Sequence, residues 1–269
     1  VTDTPPKTTT NVMSGTVALV TGTGSGIGRA AALLLAREGA AVAALGRTAS
    51  DLEEVVTAIR AEGGEATPIV ADIADAAAMA TAMEMIGATW GRLDTVFANA
   101  GINGVWAPLD DLTLAEWERT LHVNLTGTFI TVQTALPLLR VRGGSIIITS
   151  SVNGTRNFSN TGATAYSVSK AGQLAFAKMI ALELAPQKIR VNVICPGAVN
   201  TAINEKTTIR DLDRVRTPVE YPRGWHPLLG SPAEPEAIAP LVLFLASDAA
   251  RHISGTELWI DGAESLLKG

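Results

Sequence analysis

A single cysteine, Cys195, leaves no internal disulfide framework and no multi-thiolate metal site open to this chain, as expected of a protein from a reducing compartment. The three histidines are scattered, without the spacing of a zinc site. Charge is scarce: 17% of residues are Asp, Glu, Lys or Arg, against an apolar share of 47%. Some apolar surface is therefore expected to be buried between subunits as well as inside them. No basic block occurs anywhere, and 26 acidic against 21 basic residues give a net charge of -5, so nucleic acid finds no electrostatic footprint. No apolar run reaches the length of a membrane span, and the Thr- and Pro-rich first residues hold no signal-like segment. The expectation is a cytoplasmic protein with a disordered arm over residues 1–13 and one domain over 14–269.

What the chain does contain is a repeated alternation of short apolar runs and helical patterns. Residues 16–20 read as a buried strand, followed by a glycine-rich turn and a helix over 29–38 that Gly39 closes. Strands are then expected at 41–45, 67–71, 93–98, 144–149, 190–195 and 256–260. Helices are expected over 49–61, from the mid-70s to Trp90, over 114–139 with an interruption near Asn124, over 163–184, and over 236–246. Units of this length imply an α/β fold: a doubly wound, mostly parallel sheet with helices on both faces, Rossmann-like and single-domain. Pro218, Pro222, Pro227, Pro232 and Pro235 break the stretch before the last helix, and 203–227 is expected to be an irregular, mobile flap.

In such a sheet, ligands lie beyond the carboxyl ends of the strands, where the strand order reverses. There this sequence places Gly22, Gly24, Ser25, Gly26, Ile27 and Gly28, then Asp72, then Asn99, Ala100 and Gly101, then Ser150 and Ser151, then Pro196 and Gly197. A glycine turn between strand and helix lets the backbone approach a pyrophosphate, with the helix N-terminus supplying donors. The spacing is neither the usual dinucleotide GxGxxG nor a P-loop, so a purely structural tight turn is the competing reading. At the end of the second strand an NAD site usually presents an acid to the ribose, but here stands Arg47. Its guanidinium suits a 2′-phosphate, which favours NADP(H) over NAD(H); a solvent-facing arginine is the alternative.

Tyr166 and Lys170 are four apart in an expected helix, so both can face the same rim. A nearby ammonium is expected to draw the phenol's pKa down and make it a reversible proton donor to a carbonyl oxygen. Alone, such a pair is better explained by an exposed helix face. Ser151 can donate to the same oxygen, and Asn124 sits where the helical pattern breaks. With the Thr21 to Gly28 turn, Asn99 to Gly101, Asn124, Ser151, Tyr166 with Lys170, and Pro196 with Gly197 all in order, the chain resembles the short-chain dehydrogenase/reductase family over residues 14–262.

That resemblance implies an NAD(P)-dependent oxidoreductase with Asn124, Ser151, Tyr166 and Lys170 as its catalytic residues and Asn124 positioning a relay water. It further implies that Asp72 and Ile73 line the adenine pocket, that Asn99 steadies the central strand, and that Val199 and Thr201 meet the nicotinamide end. A homotetramer is implied as well. The interval from Ser151 to Tyr166 is longer than is typical of the family, so Asn153, Arg156 and Phe158 are expected at the substrate entrance. Trp106 and Trp225 are candidates for an apolar wall. Arg210, Arg214 and Arg216 suit a carboxylate or phosphate, solvated arginines being the alternative. Two substrate classes remain open, a 3-oxoacyl thioester and a sugar, polyol or secondary alcohol, beside a non-catalytic nucleotide-binding scaffold or sensor.

Overall fold

The computed structural model describes residues 11–216 and 224–268; residues 1–10 of the arm expected over 1–13, and Pro218, Tyr221 and Pro222, lie outside them. Seven short apolar runs become the strands of one parallel sheet. They are β1 (Val17–Thr21), β2 (Ala41–Gly46), β3 (Ala66–Val70), β4 (Thr95–Ala98), β6 (Gly144–Thr149), β7 (Ile189–Pro196) and β9 (Glu257–Ile260), in the order β3-β2-β1-β4-β6-β7-β9. Every pairing is parallel. Parallel strands need crossovers, and these are the helices α1 (Gly26–Arg37), α2 (Ala49–Ala61), α3 (Ala76–Trp90), α4 (Leu114–Leu121), α5 (Gly127–Leu139), α6 (Thr164–Leu184) and α7 (Pro235–Ala246), with a short α8 (Glu264–Lys268) after β9.

Both faces of the sheet are covered, which is why its strands read as unbroken apolar runs. Alternate residues serve opposite cores. Leu19, Ala43, Val96, Ile146 and Val193 pack with Met79 and Ile86 of α3 and with residues of α5 and α6. Val20, Ala44, Phe97, Ile147 and Ile194 pack with Leu35 of α1, Leu52 and Val55 of α2 and Val242 of α7. Met13 is fully buried in the second core and donates its amide to Glu38, so packing begins ahead of residue 14, where the domain is expected to start.

The strand order reverses between β1 and β4, and that junction is held by side chains. Thr21 Oγ1 accepts from the amides of Asn99 (3.0 Å) and Ala100 (3.1 Å), while Asn99 Nδ2 donates to the Thr21 carbonyl (3.2 Å) and its Oδ1 accepts from Thr149 (3.1 Å). The ends of β1, β4 and β6 are thereby tied together at the rim.

The break expected near Asn124 is a π-helical turn, His122–Thr126, between α4 and α5. Helix α4 starts with a capping box in which Thr113 and Glu116 satisfy each other's amides. One element had no signature: β5 (Val105–Trp106) pairs in parallel with β8 (Thr208–Ile209), forming a two-stranded sheet across the rim. Each strand is two residues long, too short to show a period.

Candidate active site

A cavity of about 940 Å³ runs along the carboxyl ends of the strands. At one end lie the glycine turn, Arg47, Asp72 and Ile73; at the other, Ser151, Tyr166, Trp106 and the flap residues beyond Thr201. The turn is built for close approach. Gly22 and Gly26 have φ of +72° and +53°, and a Cβ on Gly26 would stand 2.9 Å from Thr201. Gly28 does not line the cleft; its hydrogen faces the Gly22 carbonyl, where a Cβ would come within 2.2 Å, so it seats α1 against the turn. Ser25 precedes α1 without capping it by its side chain, so the amides of that helix's first turn lack an intrahelical acceptor at the cleft.

At the far side of the turn, Arg47 and Asp72 face each other at 3.8 Å, both well exposed. Asp72 also accepts from the amide of Ala74 at 2.9 Å. Asp51, in the first turn of α2, lines the same wall beside Gly24, and no sequence motif points to it. The turn after β7 is held in place by Ala233, which donates to Ala198 and accepts from Asn200, and it brings Pro196, Gly197, Val199 and Thr201 to the wall. Glu264 of α8, nearly fully buried, accepts from the amide of Ala198 at 3.0 Å. A carboxylate just past Asp261 carries no pattern that would single it out.

The two adjacent serines part company. Ser150 donates to the carbonyl of Lys170 at 2.8 Å. Ser151 Oγ accepts from the amide of Asn153 at 3.1 Å, which leaves its proton free to donate, and the hydroxyl lies close enough to Tyr166 to act on its phenol. Lys170, buried, donates to the carbonyl of Thr149 at 2.8 Å and stands 5.6 Å from the centre of the Tyr166 ring.

The electrostatics at Tyr166 run opposite to the sequence expectation. Desolvation pushes its phenol above the ordinary value of 10, with the Ser151 hydroxyl opposing. Burial also pulls Lys170 down to about 8. Removing a phenolate from water outweighs the attraction of an ammonium that is itself poorly solvated.

Asn124 is fully buried behind the cleft wall rather than on it. Its side chain accepts from the amide of Ile102 (2.8 Å) and donates to the Ile102 carbonyl (2.9 Å) and to Ser169 (2.9 Å). Its own carbonyl accepts from Thr128 (2.7 Å) and Gln173 (2.8 Å). Those are protein groups at every polar atom that a relay water would need.

The entrance residues divide. Trp106, Asn153 and Trp225 line the cleft, and the rings of Trp106 and Tyr166 are 6.4 Å apart. Phe158 is not among the cleft-lining residues and is 70% exposed. Arg156 is drawn away to stack 3.6 Å over Trp259 of β9. Arg210 and Arg214 are already ion-paired, though solvent still reaches both: Arg210 pairs with Glu116 at 2.9 Å, and Arg214 with Asp110 at 2.7 Å and with Asp111. These pairs clip the stretch from β8 to Arg214 to the start of α4 and the turn before it.

Residues 22–263 match a family model described as "Enoyl-(Acyl carrier protein) reductase". The chain belongs to the short-chain dehydrogenase/reductase family. Among solved members, a 3-ketoacyl-ACP reductase from Sinorhizobium meliloti 1021 is 47% identical, with a TM-score of 0.89 over 93% of this chain and 99% of that one. A carveol dehydrogenase from Mycobacterium avium, solved in complex with NAD, is 29% identical, with a TM-score of 0.84 over 95% and 99%. A cis-4-hydroxycyclohexanecarboxylate dehydrogenase from Sinomonas cyclohexanicum is 36% identical over 254 residues, 93% of this chain and 97% of its own. This short-chain dehydrogenase/reductase thus matches oxidoreductases along nearly its whole length. No helix among its described residues is long and apolar enough to cross a membrane, and no cluster among them would hold a metal.

Proposed function

We propose that this enzyme interconverts a carbonyl and a secondary alcohol on a small molecule by hydride transfer with NADP(H), Tyr166 serving as acid and base. The observation that carries the reading is the meeting of Tyr166 with Ser151 on one wall of the cleft that also holds the glycine turn.

The cleft fits a dinucleotide. Glycine positions that a Cβ would fill make a cradle for a pyrophosphate at the start of α1. Asp72 and Ile73 offer an adenosine end, while Pro196, Gly197, Val199, Thr201 and Lys170 offer a nicotinamide end. Arg47 would take a 2′-phosphate; its exposed contact with Asp72 is long and easily exchanged. When bound, NADP(H) supplies the hydride donor or acceptor.

The chain's own residues handle orientation and the proton. In the reductive direction the carbonyl oxygen accepts hydrogen bonds from Ser151 Oγ and Tyr166 Oη. Tyr166, held protonated by its raised pKa, passes its proton to the forming alkoxide. Lys170 anchors α6 to the end of β6 and presents its ammonium beside the ring. Asn124 acts as a positioning residue: through Ser169, which donates to the Tyr166 carbonyl at 2.7 Å, it sets the first turn of α6.

The apolar wall formed by Trp106, Ile209 and Leu212 favours an alicyclic or acyl body over a polyol. A homotetramer belongs to the same reading. Met179 and Leu182 of α6 and Phe129 of α5 stand exposed on helices that a partner subunit would cover. The test is a matrix of assays following nicotinamide absorbance, with both nucleotides against 3-oxoacyl thioesters, cyclic ketones, sugars, polyols and secondary alcohols. An NADP-linked signal on ketones or oxoacyl thioesters is expected; silence throughout, with the nucleotide bound, favours the scaffold or sensor.

A further inference from the structure

The basic residues of the flap fall into two sets. Arg210 and Arg214 are spent on Glu116, Asp110 and Asp111. Lys206 and Arg216 instead line the cleft, and neither has a hydrogen bond or ion pair with any described residue. Lys206 lies just before β8, and Arg216 just after the turn Leu212–Arg214. They therefore flank the strand that pairs with Trp106, the residue whose ring stands 6.4 Å from that of Tyr166. The same cleft lining holds the apolar side chains of Trp106, Ile209 and Leu212, with Asp213 beside them.

The acids on this part of the wall do not neutralise the pair. Glu264 is buried and occupied by the Ala198 amide at 3.0 Å, with His226 at 3.6 Å. Asp213 is exposed and bonded to neither cation. Two cations, both exposed, that line a partly apolar cleft favour an anion there, since charge-assisted hydrogen bonds strengthen as water is displaced.

We propose that the substrate carries an anionic group, a carboxylate or a phosphate, held by Lys206 and Arg216, with its apolar body against Trp106, Ile209 and Leu212 and its carbonyl at Tyr166. This rests on the hydride-transfer reading above and adds the substrate's charge to it.

The test compares 4-oxocyclohexanecarboxylate with its methyl ester, and a 3-oxoacyl pantetheine thioester with and without its phosphate, on the wild type and on a K206A/R216A variant. The wild type is expected to prefer the anionic member of one pair by about ten- to hundredfold in kcat/KM, and the variant to bring that ratio close to one. The pair that responds identifies the source of the anion. A ratio near one for the wild type in both pairs overturns the proposal. So does a preference that the variant leaves intact, or a variant whose only defect is a raised KM for the nucleotide. Binding of the same compounds, read by tryptophan fluorescence, decides the matter without turnover. Tighter binding of the anion that is lost in the variant upholds the site even if no hydride transfer occurs, and binding that the variant does not weaken removes it.

Discussion

Lys170 donates to the carbonyl of Thr149 at 2.8 Å, and the Lys170 carbonyl accepts from Ser150 at the same distance. Helix α6 is thus pinned to the end of β6 where Tyr166 must meet Ser151. The ammonium is fixed by this contact, and its burial accounts for the fall to about 8 and for its limited hold on the tyrosine.

A spectrophotometric titration checks the direction at Tyr166. The chain has two tyrosines, Tyr166 and Tyr221. Burial predicts that the phase lost in Y166F lies above the ordinary value of 10 in the nucleotide-free protein. Loss of a phase below 10 would mean that the Lys170 charge prevails over desolvation.

Asn124 satisfies both backbone groups of Ile102 from inside the protein. Asn124→Ala leaves these part-buried groups without that partner, and urea denaturation is expected to show a loss of roughly 1–3 kcal/mol. A loss of turnover with stability unchanged would instead place Asn124 in the proton path.

Much of this arrangement is legible in the sequence. Strands such as residues 144–149 show as apolar runs because a parallel sheet is buried on both faces, and the break at Asn124 shows because a polar residue interrupts the helical pattern. The turn at Gly22 to Gly28 is local and reads directly. What depends on distant approach does not. Arg210 meets Glu116, and Trp106 meets Ile209, across roughly a hundred residues, with no periodicity at either end. Position along the loop suggests Phe158 for the entrance, but its ring stands 70% exposed and is not among the cleft-lining residues. The shift at Tyr166 reversed because burial, the larger effect, is not written in residue spacing.

Arg47 sets the nucleotide preference in this account. Arg47→Asp is expected to weaken NADPH by about tenfold or more while changing NADH far less, because repulsion replaces a charge-assisted contact with the phosphate. Dissociation constants from nucleotide fluorescence measure it, and equal effects on both nucleotides would remove Arg47 from that role.

The flap clip has a defined pH range. Hydrogen bonding to Arg210 holds Glu116 down to about 2, below its ordinary 4.5. A carboxylate with a lowered pKa contributes fully above its unfolded value and fails as the pH falls toward the folded one. The amide of Arg210, which donates to Trp106 at 2.9 Å, should stay protected from hydrogen exchange, relative to its intrinsic rate, through pH 4 and lose protection toward pH 2. In R210M the protection of the neighbouring Thr208 amide is expected to fall already at pH 7; unchanged protection would show that the β5–β8 pairing alone holds the flap.

The central claim is that the Tyr166 hydroxyl moves the proton. Tyr166→Phe removes one oxygen and keeps the ring, so the decisive measurement is kcat on the best ketone alongside the nucleotide dissociation constant of the same preparation. The account predicts a fall in kcat of about a hundred- to ten-thousandfold with nucleotide affinity retained. Turnover at the wild-type rate, with the nucleotide bound, would contradict it.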